Sequence, residues 1–332
     1  MIRNVAGICL LVLACAGPAG AAEQFAFALW GDMPYANAGD APKIRALIED
    51  MNGSDILFSI YNGDIKDGSS KCTDDVYTAA IAMFDAFAKP AIYIPGDNEW
   101  TDCHRLNNGG YDNLERLDHI RKTMMTSDES FGRTRMKLTR QGPAGGKFSE
   151  NIRFSHGGIV FVGLNIPGSN NNFVHDAKEC TKKSARDWAK CEAGNTEYRE
   201  RDAANIAWVD VAFEVAARDK APGVVLAFQA DPGFDLPETE EVNERKDPDY
   251  DGYTKFLDAV VAHARGYPGQ ILLVHGDTHF FKLDKPLIDQ EHLIPNITRL
   301  QTFGSPNINW VRVGVDTASR NVFTVVPMIV PR

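Results

Sequence analysis

The sequence predicts an α/β protein in which two β-sheets pack as a sandwich flanked by helices. Short apolar runs alternate with amphipathic helical patterns along most of the chain, which is how strands and helices interleave in such folds. A hairpin-like pair of runs in the middle, and antiparallel-looking runs near the C-terminus, ask for a second sheet. Four of the apolar runs end directly in Gly-Asp, which places carboxylates where ligands bind in open α/β sheets.

The elements follow in order. Residues 25–30 (Phe-Ala-Phe-Ala-Leu-Trp) predict the first strand. Ile44, Leu47, Ile48 and Met51 recur at helical spacing, with Pro42 tolerated in the first turn. Residues 56–61 predict the second strand. A helix then starts at a Thr73 N-cap and carries Val76, Ala80, Phe84 and Phe87 on one face. Residues 91–94 predict a short third strand. Runs at 150–154 and 159–164 flank His156-Gly157-Gly158 and read as a β-hairpin. A polar, Asn-rich insertion is expected from Gly168 to about Arg199, followed by a helix with Ile206, Val209 and Phe213 on one face. Strands are predicted at 224–228 and 271–274, separated by an acidic loop over 236–251 and a helix around Phe256 and Val260. Runs at 310–313 and 322–326 complete an antiparallel pair. No internal repeat or linker divides residues 23–332, which are expected to form one domain.

The first 22 residues have the form of a secretion signal: Arg3, an apolar stretch over 5–15, then Ala19-Gly20-Ala21-Ala22. The stretch is too short to span a bilayer and no later one approaches that length. Export to the periplasm or medium is therefore expected, with acylation of Cys15 as the lesser alternative. Cys9 and Cys15 fall in the leader; Cys72, Cys103, Cys180 and Cys191 remain, an even number without the C-x-x-C spacing of a zinc or redox site. Cys180 and Cys191 flank a Lys-rich stretch and are expected to close it as a loop; Cys72 and Cys103 each follow shortly after a candidate site motif and are expected to tie two site loops together. The formal net charge is −10, from 35 basic and 45 acidic residues, with no Lys/Arg cluster. A nucleic-acid partner is thereby disfavoured, and so is a membrane surface.

Gly-Asp occurs five times, and four instances follow strand-like runs: Gly31-Asp32, Gly63-Asp64, Gly96-Asp97 and Gly276-Asp277. Each Gly is expected to let the chain turn sharply and aim its Asp into a shared crevice. Taken singly, each Asp reads as a turn former or helix N-cap. Four carboxylates converging repel one another unless a cation or basic group sits among them.

The words around these residues sharpen the reading. They are Gly31-Asp32-Met33-Pro34-Tyr35, Asn62-Gly63-Asp64-Ile65-Lys66-Asp67, Pro95-Gly96-Asp97-Asn98-Glu99-Trp100 and His275-Gly276-Asp277-Thr278-His279. Their order and spacing resemble the calcineurin-like metallophosphoesterases, purple acid phosphatases included, across nearly the whole of residues 23–332. That family carries D-x-H, G-D-x-x-D or G-D-x-x-Y, G-N-H-E or G-N-H-D, a lone His, and G-H-x-H. The resemblance implies Asp32 and His279 on a first metal and Asp64 between two metals. Pro34 departs from the D-x-H histidine, Asp97 stands for the metal-binding Asn, and Asn98 for the catalytic His. Gln229 or Ala230 stands where the lone His belongs, with Asp231 beside it, and Asp277 replaces the first His of G-H-x-H.

These exchanges run from imidazole towards oxygen, so one or two divalent cations of the Mn²⁺, Mg²⁺ or Ca²⁺ kind are expected in preference to Zn²⁺ or Fe. The expected ligands are Asp32, Asp64, Asp97, Asp277, His279 and Gln229, with Tyr35 or His275 as recruits. The implied reaction is hydrolysis of a small phosphate ester by a metal-bound hydroxide. Asn98 can donate a hydrogen bond but not a proton, so acid assistance falls to His275, His104 or solvent. Glu99 and Asp67 are expected to orient their neighbours. The rival readings are a catalytically silent binding protein of the same fold, and hydrolysis of a non-phosphate ester.

Overall fold

The computed structural model describes residues 23–35, 37, 39–234, 244–286 and 294–331. The leader and residues 236–243 of the acidic segment lie outside them. Among the described residues one sheet has the order β12-β11-β1-β2-β3. Its strands are β1 (Gln24–Trp30), β2 (Ser59–Asn62), β3 (Ala91–Ile94), β11 (Trp310–Asp316) and β12 (Phe323–Met328). β1, β2 and β3 run parallel, while β11 pairs antiparallel with both β1 and β12. Pro327 lies in β12 at the sheet edge, where a missing donor breaks no ladder.

The other sheet has the order β4-β5-β6-β7-β8-β10-β9. It comprises β4 (Thr139–Arg140), β5 (Ile152–His156), β6 (Ile159–Gly163), β7 (Gly223–Ala227), β8 (Gln270–His275), β9 (Lys282–Asp284) and β10 (Ile297–Gln301). β6, β7, β8 and β10 are parallel. The expected hairpin is β5–β6, closed by Gly157 and Gly158, both with positive φ as a two-residue primed turn requires.

Side-chain alternation along each strand sorts the apolar residues into three cores. Phe27, Leu29, Phe58 and Ile94 meet Phe161, Val225 and Leu272 between the sheets. The outer face of the first sheet packs Trp30 and Tyr61 against α1 (Asp40–Gly53), α2 (Asp74–Asp85) and α3 (Asn113–Met124). On the outer face of the second, Leu226 and Leu273 meet α6 (Trp188–Asp219) and α7 (Thr254–Gly266). The layers therefore run helix, sheet, sheet, helix, with each fully buried Leu or Phe contributing about 1.5–3 kcal/mol.

The middle of the chain differs from the sequence expectation. α6 begins at Trp188, well inside the stretch read as a loop to Arg199, and the Asp187 side chain caps it by accepting from the Lys190 amide. Its first half buries polar residues: Asn195, Arg201, Asp202 and Asn205. A hydrogen-bonded polar face gives no apolar periodicity, so the helix left no signal there. Fully buried Arg201 donates to Glu197, to the carbonyl oxygens of Asn165 and Asn171, and to Asn171 Oδ1. It thereby clamps α4 (Gly168–Asn171), a single turn in which Ser169 and Asn170 take left-handed angles. α5 (Ala177–Thr181) follows. Both expected disulfides are formed, Cys72–Cys103 and Cys180–Cys191, which is compatible with an exported protein. No helix among the described residues is long and apolar enough to cross a membrane.

Candidate metal centre

Asp32, Asp64, Asp97, Gln229 and Asp277 follow the C-terminal ends of β1, β2, β3, β7 and β8. Two triads result. Asp32, Asp64 and His279 offer ligand atoms within 4.8 Å of one another, and so do Asp64, Asp97 and Asp277. Asp64 belongs to both.

The local backbone differs from the simple turn expected of Gly-Asp. Asp32, Asp64, Asp277 and His279 themselves adopt positive φ, whereas of the four glycines only Gly63 does. Such angles cost a non-glycine residue free energy and concentrate at functional sites. Two glycines serve a different need. A Cβ on Gly96 would collide with Asp64 Oδ1, and one on Gly276 with Asp32 Oδ2. Each leaves room for the carboxylate of another motif.

Hydrogen bonds then fix the side chains. His279 Nδ1 lies 2.8 Å from the Ser305 carbonyl oxygen, which only accepts, so Nδ1 carries the proton. The lone pair of Nε2 is left facing the cluster, 3.0 Å from Tyr35 Oη and 3.7 Å from Asp32 Oδ1. Burial holds this imidazole below its ordinary range, hence neutral. Asp32 Oδ1 accepts from the Asp277 amide at 2.9 Å, and Asp32 Oδ2 is buried without a partner. Asn98 Nδ2 donates to Asp64 Oδ2 at 2.6 Å, and its amide to Asp64 Oδ1 at 3.1 Å. Glu99 Oε1 gathers the Gly96 amide, the Asp64 amide and the Tyr93 hydroxyl, locking two site loops together. Asp67 accepts from Ser69 and Ser70 in its own turn.

Burial, followed by mutual repulsion, raises Asp32, Asp64 and Asp277 well above the usual carboxylate range. A cation reverses this, because a ligating carboxylate must be deprotonated. The first triad fits a divalent cation: two carboxylates, an imidazole lone pair, and the orphaned Asp32 Oδ2. The second triad already has a partner. Gln229 Nε2 donates to Asp97 Oδ1 at 3.0 Å, Asp277 Oδ1 at 3.1 Å and Asp64 Oδ2 at 3.3 Å, while Gln229 Oε1 accepts from the Gly168 amide at 2.5 Å. As placed, Gln229 turns a donor, not a ligand oxygen, towards these acids.

His275 is not brought to the cluster. It is fully buried on the outer side of β8 beside Phe228 and Phe234, where burial pushes it down to about 4. His104 lines a neighbouring cavity, and burial together with Arg186 and Arg105 pushes it down to about 3. Neither is an imidazolium at neutral pH.

Sequence reasoning missed Ser169 and Asp102. Ser169 Oγ lies 3.0 Å from Asp97 Oδ2 and 2.8 Å from Asp102 Oδ1, and burial with the Asp97 charge raises Asp102 to about 7. The run Gly168-Ser169-Asn170-Asn171-Asn172 held a signal, since Asn and Gly tolerate the left-handed angles found there. A larger cleft of about 740 Å³ between the ends of α6 and α7 is bordered by none of the site carboxylates.

The sequence matches no protein-family model and no curated protein. Among solved structures, the chain superposes on PhoD with a TM-score of 0.53 at 12% identity, covering 92% of this chain and 68% of that one. A purple acid phosphatase from yellow lupin seeds matches with a TM-score of 0.50 at 12% identity, covering 92% of this chain and 53% of that one. The chain has the fold of the calcineurin-like metallophosphoesterases.

Proposed function

We propose that this protein is an exported, metal-dependent phosphoesterase acting on a small phosphate ester, with one catalytic domain over residues 23–332 behind a removable leader. The observation that carries this reading is the pair of acidic triads sharing Asp64 at the strand ends. Asp32, Asp64 and His279 would hold the principal cation. Asp97, Asp277 and Asp64 would hold a second only if Gln229 turned its oxygen inward, depriving the Gly168 amide of its acceptor. The oxygen-rich donor set favours Mn²⁺, Mg²⁺ or Ca²⁺.

A bound divalent cation supplies Lewis-acid polarisation of the phosphoryl oxygens and an acidified water. The chain supplies the orientation. Asn98 Nδ2 and Tyr35 Oη lie 3.3 Å apart beside Asp64, where they can donate to a phosphoryl oxygen. Solvent protonates the leaving oxygen, because Asn98 has no proton to give, His104 is neutral, His275 lies away from the cluster and Asp102 is paired with Arg105. Lacking a general acid costs on the order of 10²–10⁴ in rate for strongly basic leaving groups.

A second reading, a cation-binding protein of the same fold without turnover, is favoured by the Gln229 amide lodged in the second triad. Hydrolysis of aryl phosphates separates the two. Turnover should appear with Mn²⁺, vanish in EDTA, fall steeply as leaving-group pKa rises, and drop at least about a hundredfold in Asp64→Asn. A folded, metal-loaded protein no faster than Asp64→Asn would select the second reading.

A further inference from the structure

A cavity of about 360 Å³ opens beside the metal centre, with Asp277 and Ser169 on its wall. Part of the wall comes from the segment between Cys180 and Cys191, which brings Lys182, Lys183 and Arg186. That segment is firmly held. The Leu106 amide donates to the Lys183 carbonyl at 2.9 Å, Ser184 Oγ donates to the His104 carbonyl, and the disulfide ties its base to α6.

Arg186 is the anomalous residue. It is only 9% exposed, its Nε is buried without a partner, and its guanidinium makes no hydrogen bond or ion pair with any described residue. Asp102, Glu179 and Asp112 offset its charge only at a distance, none forming an ion pair with it, and a buried guanidinium with no hydrogen-bonded acid is costly. Lys182 and Lys183 are exposed, and neither forms an ion pair with a described residue. The nearest acids are engaged elsewhere: Glu179 with His175, and Asp102 with Arg105 and Ser169. Asp249, on the turn Pro248–Tyr253, and Asp231 and Asp277, on the metal-site side, are the other acids lining the cavity. In a chain of net charge −10, the cavity sets four cations, Arg105, Lys182, Lys183 and Arg186, among its five lining carboxylates.

We propose that this cavity is a phosphate subsite, with Arg186, Lys182 and Lys183 as its anion-binding side chains, and that the substrate is a phosphate ester carrying a second phosphate group. The substrate part rests on the phosphoesterase reading above; the binding part does not. A planar guanidinium matches two phosphate oxygens at once, and the flanking ammonium groups add point charge. Arg105, which donates to Ser169 Oγ at 3.1 Å, links this wall to the metal loops.

The probe is inorganic phosphate, titrated calorimetrically into the full chain with its disulfides intact. In EDTA the wild type should bind phosphate, and with Mn²⁺ it should bind one phosphate more than Arg186→Met does. Arg186→Met should weaken the EDTA-resistant binding at least tenfold. Lys182→Met/Lys183→Met, altered only at exposed positions, should weaken it severalfold and serves if Arg186→Met fails to fold. Phosphate binding that is absent, or unchanged by both variants, in EDTA and in Mn²⁺ alike overturns the subsite. Should that happen while the wild type hydrolyses 4-nitrophenyl phosphate, the phosphoesterase reading survives alone. Variant-sensitive phosphate binding without turnover keeps the subsite and removes the enzyme.

Discussion

At the scale of single residues, the centre is organised by hydrogen bonds that decide which atoms face the cleft. The Ser305 carbonyl sets the His279 tautomer, and Asn98 grips Asp64 where an imidazole would otherwise hold a transferable proton. The aspartates were legible in the sequence because Gly-Asp follows four strand-like runs and strand ends define the crevice. What those glycines do was not legible. Their reason is the space needed by a carboxylate from a distant motif, which only the assembled fold reveals. His104 makes a separate residue-scale prediction. Its folded value near 3 lies below the ordinary 6.5, so between those limits the unfolded chain binds the proton more tightly. Its contribution is complete above pH 6.5 and is lost progressively on acidification. From pH 7 to 5, wild type should lose about 2 kcal/mol more unfolding free energy than His104→Gln, at about 1.4 kcal/mol per unit. Urea unfolding at the two pH values measures this, and parallel losses would remove His104 as the cause.

At the scale of elements, the strands and the helices with apolar stripes follow from periodicity, whereas the segment from Gly168 to Arg201 does not. It is held by Arg201 and the Asn side chains, contacts between residues far apart in sequence that leave no local pattern, and by the second disulfide, whose cysteines alone were legible. Ser169 and Arg186 reach the site on this segment, which is why neither was legible. The disulfides can be weighed separately. Cys72–Cys103 closes a loop with a sequence separation of 31, and Cys180–Cys191 one of 11. Chain-entropy reasoning assigns them roughly 3.7 and 2.8 kcal/mol. Cys72→Ala/Cys103→Ala should therefore destabilise the protein more in urea than Cys180→Ala/Cys191→Ala does. Equal or inverted losses would show that strain or residual unfolded structure outweighs loop closure.

At the scale of the whole molecule, two sheets converge their strand ends on one acidic crevice, and the three apolar cores hold that convergence rigid. Buried carboxylates repel one another without a cation, so the fold carries an electrostatic cost that a cation at Asp32, Asp64 and His279 would relieve. A ligand bound only by the folded state raises stability by mass action, about 2.7 kcal/mol at a hundredfold excess over Kd. The most direct test is the melting temperature of EDTA-stripped protein with and without added Mn²⁺, Mg²⁺ or Ca²⁺, compared with Asp64→Asn. The account predicts that at least one of these cations raises the Tm of wild type by several degrees and leaves Asp64→Asn nearly unmoved. A wild-type Tm indifferent to EDTA and to all three cations would contradict it.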